Sequence, residues 1–257
     1  MALLAAAFGA VAGGASAQPP ERVEALTREA DLVFRGTVQR VGAANLKAMT
    51  PGDDTAVVRI EELLRGPVEA QDFVGREVTV KLRAPRSVQP GEQAVFFAES
   101  WLWGESLGLV EVGRVRPGPG VRTRVAAASR QMREDDVRAR VAGSDLAVTG
   151  RVVETRPVAP PARYSEHNPE WAEAVIQVDS VLKGAAPGGR VVVLYPRSTD
   201  ILWYQAPKPQ VGWDGVWLLK RGQTAEMRAH GTVYTVLEPL NILSRDDAAV
   251  VRRLAQP

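Results

Sequence analysis

One pattern of residues runs through this chain twice, and that repetition restricts the fold more than any other feature. The first copy begins at Ala30-Asp31-Leu32-Val33-Phe34-Arg35-Gly36-Thr37-Val38, and the second at Ser144-Asp145-Leu146-Ala147-Val148-Thr149-Gly150-Arg151-Val152. The run Val57-Val58-Arg59-Ile60-Glu61-Glu62-Leu63-Leu64-Arg65-Gly66 returns as Val175-Ile176-Gln177-Val178-Asp179-Ser180-Val181-Leu182-Lys183-Gly184. Arg76-Glu77-Val78-Thr79-Val80 returns as Arg190-Val191-Val192-Val193-Leu194. A Gly-led apolar run follows in each copy, Gly91 to Phe97 and Gly212 to Leu218, and a last run closes each, Leu107 to Val112 and Val233 to Leu237. Shared valines are common among β-rich segments, but five elements in one order with matched glycines are not a coincidence of composition.

Within these runs apolar and polar residues alternate, which is the mark of a half-buried strand. Val58 and Ile60 are expected to point one way, with Arg59 and Glu61 the other; Ile176 and Val178 repeat this against Gln177 and Asp179. Val78, Val80 and Leu82 alternate with Thr79 and Lys81. Gly36 and Gly150 interrupt their strands, and a glycine there marks a bulge or a sharp bend. A long first strand with such a bend, followed by four more, is what a small closed barrel requires.

Helical periodicity appears between and around the copies. Val121, Val125, Ala128, Met132, Val137 and Val141 recur at helical spacing, with charged residues between them, after the boundary Pro117-Gly118-Pro119-Gly120. A shorter pattern runs from Glu21 to Ala30 with Val23 and Leu26 inward. Ser244-Arg245-Asp246-Asp247 reads as a capped helix start. The expected domains are a signal peptide over 1–17, a helix and first barrel over 18–116, and a boundary with linking helix over 117–143. The second barrel follows over 144–243 and a C-terminal helix over 244–257.

The signal-peptide expectation rests on residues 1–17. Ala2 to Val11 is an apolar run too short to span a bilayer, and Ala15-Ser16-Ala17 before Gln18 fits a cleavage site. Export to the periplasm or the exterior is therefore expected. The chain has no cysteine, so hydrophobic cores must carry the stability without disulfides, and thiolate metal sites and thiol nucleophiles are excluded. Lys and Arg number 32 against 30 Asp and Glu, a net charge of +2. A nucleic-acid binder would show a basic stripe; none is present, and neither a nucleic-acid partner nor a membrane span is expected.

The run Ala-Asp-Leu-Val-x-x-Gly-x-Val, the strand ending Leu-Leu-Arg-Gly or Val-Leu-Lys-Gly, and Pro90-Gly91-Glu92 before an apolar strand resemble the OB-type barrel of the netrin/tissue-inhibitor-of-metalloproteinase (NTR/TIMP-like) group. Similar modules occur in exported bacterial proteins. The resemblance covers about residues 30–114 and 144–240 and implies a mainly β chain: two tandem small five-stranded OB-like barrels with short flanking and linking α-helices. Inhibitors of that group chelate a protease metal through an N-terminal cysteine. Here Gln18 would stand in that place, so inhibition by that route is not implied.

Catalytic patterns are missing. His167 and His230 are the only histidines, and both read as loop residues without ligand spacing. Walker, H-E-x-x-H, G-x-S-x-G and EF-hand patterns are all absent. Adjacent carboxylates occur at Asp53-Asp54, Glu61-Glu62, Asp135-Asp136 and Asp246-Asp247. Asp53-Asp54 follow a Pro-Gly turn, Asp135-Asp136 and Asp246-Asp247 are placed at helix starts, and Glu61 and Glu62 are expected on opposite strand faces. No catalytic residue, metal or cofactor is expected.

Aromatic residues are the candidate binding groups. Trp203, Tyr204 and Trp213 flank the proline-rich loop Gln205-Ala206-Pro207-Lys208-Pro209-Gln210, and Trp101 and Trp103 lie two apart. Exposed Trp and Tyr supply large rigid contact area; for Trp203, Tyr204 and Trp213, surface binding and core packing both stay open. Trp217 and Phe96 sit in apolar runs and read as core. The expected function is non-catalytic binding through barrel loops, with a protein partner first. An oligosaccharide ligand or a passive structural role in the envelope stays open.

Overall fold

A computed structural model describes residues 20–103, 106–158, 169–186, 188–200, 203–222 and 234–256. The expected signal peptide, His167, His230 and the side chain of Trp103 lie outside the described residues. The structure divides into two compact units after Met132.

In the first unit, helix α1 (Pro20–Glu29) leads into β1 (Leu32–Val41), β2 (Thr55–Arg65), β3 (Glu77–Lys81), β4 (Gln93–Trp103) and β5 (Leu107–Val115). These close into a barrel of order β1-β2-β3-β5-β4. The β3–β5 pairing is parallel and the other pairings are antiparallel. Helix α2 (Val121–Gly143) begins in this unit. In the second unit come β6 (Leu146–Pro157), β7 (Trp171–Lys183), β8 (Arg190–Pro196), β9 (Asp214–Arg221), β10 (Tyr234–Thr235) and β11 (Ile242–Leu243), then α3 (Ala248–Leu254). Strands β6, β7, β8, β10 and β9 close a second five-stranded barrel, with β8 and β10 parallel, and β11 adds to β9. The chain is thus mainly β, with two closed five-stranded barrels of one OB-type order.

The repeat extends to the irregularities. In β1–β2 the register slips at Val33/Phe34, Arg35/Gly36 and Val38/Arg40; in β6–β7 it slips at Ala147/Val148, Thr149/Gly150 and Val152/Glu154, the same three places. The glycines are fixed by close approach. A Cβ on Gly36 would lie 2.7 Å from the Arg59 carbonyl oxygen, and one on Gly150 would strike the matching Gln177 carbonyl.

Inside the first barrel, Phe34 and Phe96 stack at 5.3 Å among Val58, Ile60, Val78 and Val80. At the equivalent places the second barrel has Val148 and Trp217. Trp217 is fully buried, and its Nε1 donates to the Gly150 carbonyl at 2.9 Å. Helices cover outer-face residues of β1 and β4 in the first unit and of β6 and β9 in the second. Val23 and Leu26 of α1 and Val121 and Val125 of α2 pack on Val33, Val95 and Phe97. In the second unit Val137 and Val141 of α2 and Val251 of α3 pack on the equivalent Ala147, Val216 and Leu218. Apolar residues on both faces of these strands are explained by burial on both sides.

Three sequence expectations are corrected. Glu61 and Glu62 do not diverge: Glu61 is the extra residue at the Arg35/Gly36 bulge, so alternation fails there and both carboxylates reach Arg35, at 3.2 and 3.8 Å. Asp135 and Asp136 lie inside α2, not at a helix start, and Asp135 pairs with Arg138 one turn on at 2.7 Å. The last strand of the second barrel is split. Among the described residues, Tyr234–Thr235 pairs with β8 and β9, and the chain returns to β9 as Ile242–Leu243 after a 3₁₀ turn at Pro239–Asn241.

Candidate binding surfaces on the two barrels

The β1–β2 loop of the first barrel is clamped by polar contacts. Asn45 N donates to Thr79 Oγ1 at 2.9 Å, and its side-chain amide donates to the Glu77 carbonyl at 2.7 Å. Ser106, beside the β4–β5 connection, donates to Asn45 Oδ1 at 3.3 Å. Thr79 is fully buried, so this loop is tied to the barrel wall rather than left loose.

Trp101 stands at this end of the barrel. The β4–β5 register slips between Ser100 and Leu102, which makes Trp101 the extra residue of a bulge. The slip breaks strict alternation at Trp101. Trp101 is 56% exposed. It borders a cleft of about 400 Å³ with Met49, Thr50, Asp54, Lys81 and Val110. The cleft has an apolar wall and a polar rim, where Lys81 and Asp54 lie 3.8 Å apart. Gly108 lets that wall close in, because a Cβ there would sit 2.8 Å from Leu46 and 3.6 Å from the Trp101 ring.

In the second barrel the aromatics divide into two kinds. Trp203 is half-buried and meets Trp171 edge-on, centroids 5.9 Å apart at 60°. Its carbonyl accepts from Lys208 Nζ at 2.8 Å and from Ala206 N at 3.0 Å. Trp203 Nε1 is buried with no partner among the described residues. Burial pushes the Lys208 ammonium pKa down, partly opposed by Asp200, and pushes the Tyr195 hydroxyl up, partly opposed by Arg197. Trp203 is thus partly packed, its ring against Trp171 and its carbonyl engaged by Lys208 and Ala206. Tyr204 and Trp213, at 60% and 40% exposure, lie on the surface, and no ring stacks on either among the described residues.

Trp171, absent from the residues expected at a site, opens an alternating strand and pairs opposite Pro196. Its position at the head of the run was the available signal. No group of three His, Asp or Glu side chains among the described residues could hold a metal ion. No helix among them is long and apolar enough to cross a membrane. Comparison with known protein families and with curated proteins finds no match to this chain.

Proposed function

We propose that this chain is an exported, non-catalytic binding protein that takes its partner on exposed aromatics at the barrel loops, a protein partner first. The observation that carries this reading is Trp101, more than half exposed beside a cleft whose loop is held by Asn45 and Thr79. A large ring on a clamped wall loses little freedom on binding, which favours affinity. Tyr204 and Trp213 are two further exposed aromatics on the second barrel. The apolar run and small residues of 1–17 support export. Kinship with the netrin/TIMP-like group is supported by the strand motifs and the OB-type order; the absent cysteine removes the metal-chelating route of its inhibitors.

A second reading, an oligosaccharide ligand, is favoured by the cleft's chemistry. An indole face beside Thr50, Asp54 and Lys81 offers stacking and hydrogen bonding together, and OB-type barrels bind oligosaccharides on such loops. The test uses the chain from Gln18, with Trp101→Ala and Tyr204→Ala/Trp213→Ala variants, on an envelope extract and on an oligosaccharide panel. Loss of capture in one variant with unchanged thermal stability supports the reading and locates the face. Capture that survives both variants overturns it. Trp203→Ala is the contrasting control, because it removes a packed ring and lowers stability.

A further inference from the structure

Strand β5 is paired unequally on its two edges. β4 accompanies it from Leu107 to Val115. On the other edge β3 reaches only Gly108 to Val110 before the chain leaves the barrel at Leu82. Among the described residues, no strand lies beside that edge from Glu111 to Val115.

A groove of about 700 Å³ lies there, lined by the six residues from Glu111 to Arg116, by Arg83 and Ser87 of the β3–β4 loop, and by Arg22 and Leu26 of α1. Side chains hold the loop to the strand. The buried Glu111 carboxylate accepts from Arg83 N at 3.0 Å and from Arg114 Nη1 at 2.6 Å. Arg114 Nη2 donates to the Ser87 carbonyl.

The charge of this groove is uneven. Its two carboxylates, Glu111 and Glu92, both turn to Arg114, at 2.6 and 4.0 Å. Arg22, Arg83 and Arg116 are exposed, and among the described residues none has a carboxylate within ion-pair distance. Arg83 instead donates to the Val112 carbonyl at 3.2 Å, a main-chain acceptor of the open edge. Three unpaired guanidinium groups therefore surround a strand edge that offers its own donors and acceptors.

We propose that this groove takes an extended acidic peptide of a partner protein as an added strand beside β5. Main-chain hydrogen bonds along Glu111–Val115 would supply register, and Arg22, Arg83 and Arg116 would each take a carboxylate from the peptide. Edge strands are templates for such addition, and the planar guanidinium matches carboxylate geometry. The second barrel cannot repeat it. The turn Pro239–Asn241 fills the matching stretch, and Asn241 donates to the Leu218 carbonyl of β9 at 2.9 Å. One peptide per chain follows. This site is separate from the Trp101 cleft and does not depend on it.

The test is fluorescence anisotropy of the whole chain with a labelled acetyl-(Glu-Val)₄ peptide at low salt. Expected are saturable binding at one per chain and a loss of about tenfold or more in affinity for Arg22→Glu/Arg116→Glu. A peptide with alternate amides N-methylated should lose as much on the wild-type chain. Trp101→Ala should leave this binding unchanged, which separates the site from the aromatic reading. Equal binding of the N-methylated peptide, or of a (Lys-Val)₄ peptide, overturns the proposal. So does saturable binding of polygalacturonate without binding of the peptide, which would give the groove to an anionic polysaccharide.

Discussion

A Cβ on Gly150 would strike the Gln177 carbonyl oxygen and stand 2.8 Å from Ile176 Cγ2. The same residue's carbonyl accepts from the buried indole of Trp217. Gly150 therefore works twice, letting β7 approach at the bulge and satisfying the largest core side chain of its barrel. Gly150→Ala would force the strands apart and strain that bond, costing about 2–3 kcal/mol. Urea unfolding followed by tryptophan fluorescence should show the midpoint fall with an unchanged slope. Gly36→Ala should cost less, because no indole bond depends on Gly36. Both glycines were legible in the sequence, since each breaks a regular alternation at a repeated place. The role of Trp101 was legible only in part. Its exposure depends on a bulge and on Gly108, and neither shows in the local pattern. Trp171 left one signal, its place at the head of an alternating run, but its contact with Trp203 comes from a distant segment. The arginines around β5 left none, because the groove that gathers them is built from separate segments.

Among the elements, the fifth strand separates the two barrels. In the first it is continuous from Leu107 to Val115; in the second it is cut into Tyr234–Thr235 and Ile242–Leu243. The sequence showed an apolar run at Val233 to Leu237 and placed one strand there. Pro239 ends such a strand by removing a donor, and the chain needs Asn241 to restore order. Asn241 is buried; its Oδ1 accepts from Leu237 N at 3.0 Å and Glu238 N at 2.8 Å, while its amide donates to Leu218. Asn241→Ala would strand those groups and cost about 3 kcal/mol or more, measurable by urea unfolding. The turn also sets up a pH response. Glu238 has its pKa lowered first by the hydrogen bond from Arg140, with burial opposing and the charges of Arg140 and Lys220 assisting. A lowered folded pKa means the contribution is present above the unfolded value of about 4.3 and is lost as pH falls through the folded value. The Glu238 side chain is 54% exposed, so screening holds this term to about 0–1 kcal/mol. Glu238→Gln should lower stability slightly at neutral pH, and the difference from the parent should shrink as the pH falls below the unfolded value of about 4.3; equal midpoints at neutral and at acid pH would remove the assignment.

At the scale of the whole molecule, the repeat is kept inside the barrels and lost on their surfaces. The three bulges, the paired glycines and the helix-covered outer faces recur. The exposed aromatics do not. Val38 N bonds the Glu92 carbonyl in the first barrel, and Val152 N bonds the Trp213 carbonyl at the same place in the second. Glu92 serves the arginine groove, while Trp213 is exposed. Under the proposed binding reading, two copies that share a core and differ at these described surface residues would suit two different ligands rather than double capture of one. Stability without cysteine must then come from each core on its own terms. Phe34 belongs to the core of the first barrel and Ile176 to that of the second, and the two clusters share no residue. Phe34→Leu and Ile176→Val should each cost about 1 kcal/mol, and the double variant should lose the sum within about 0.5 kcal/mol. Equilibrium unfolding of the four chains measures this directly. A double variant that falls well short of the sum would mean that the two cores share partners, and the division of the chain after Met132 would not be one of stability.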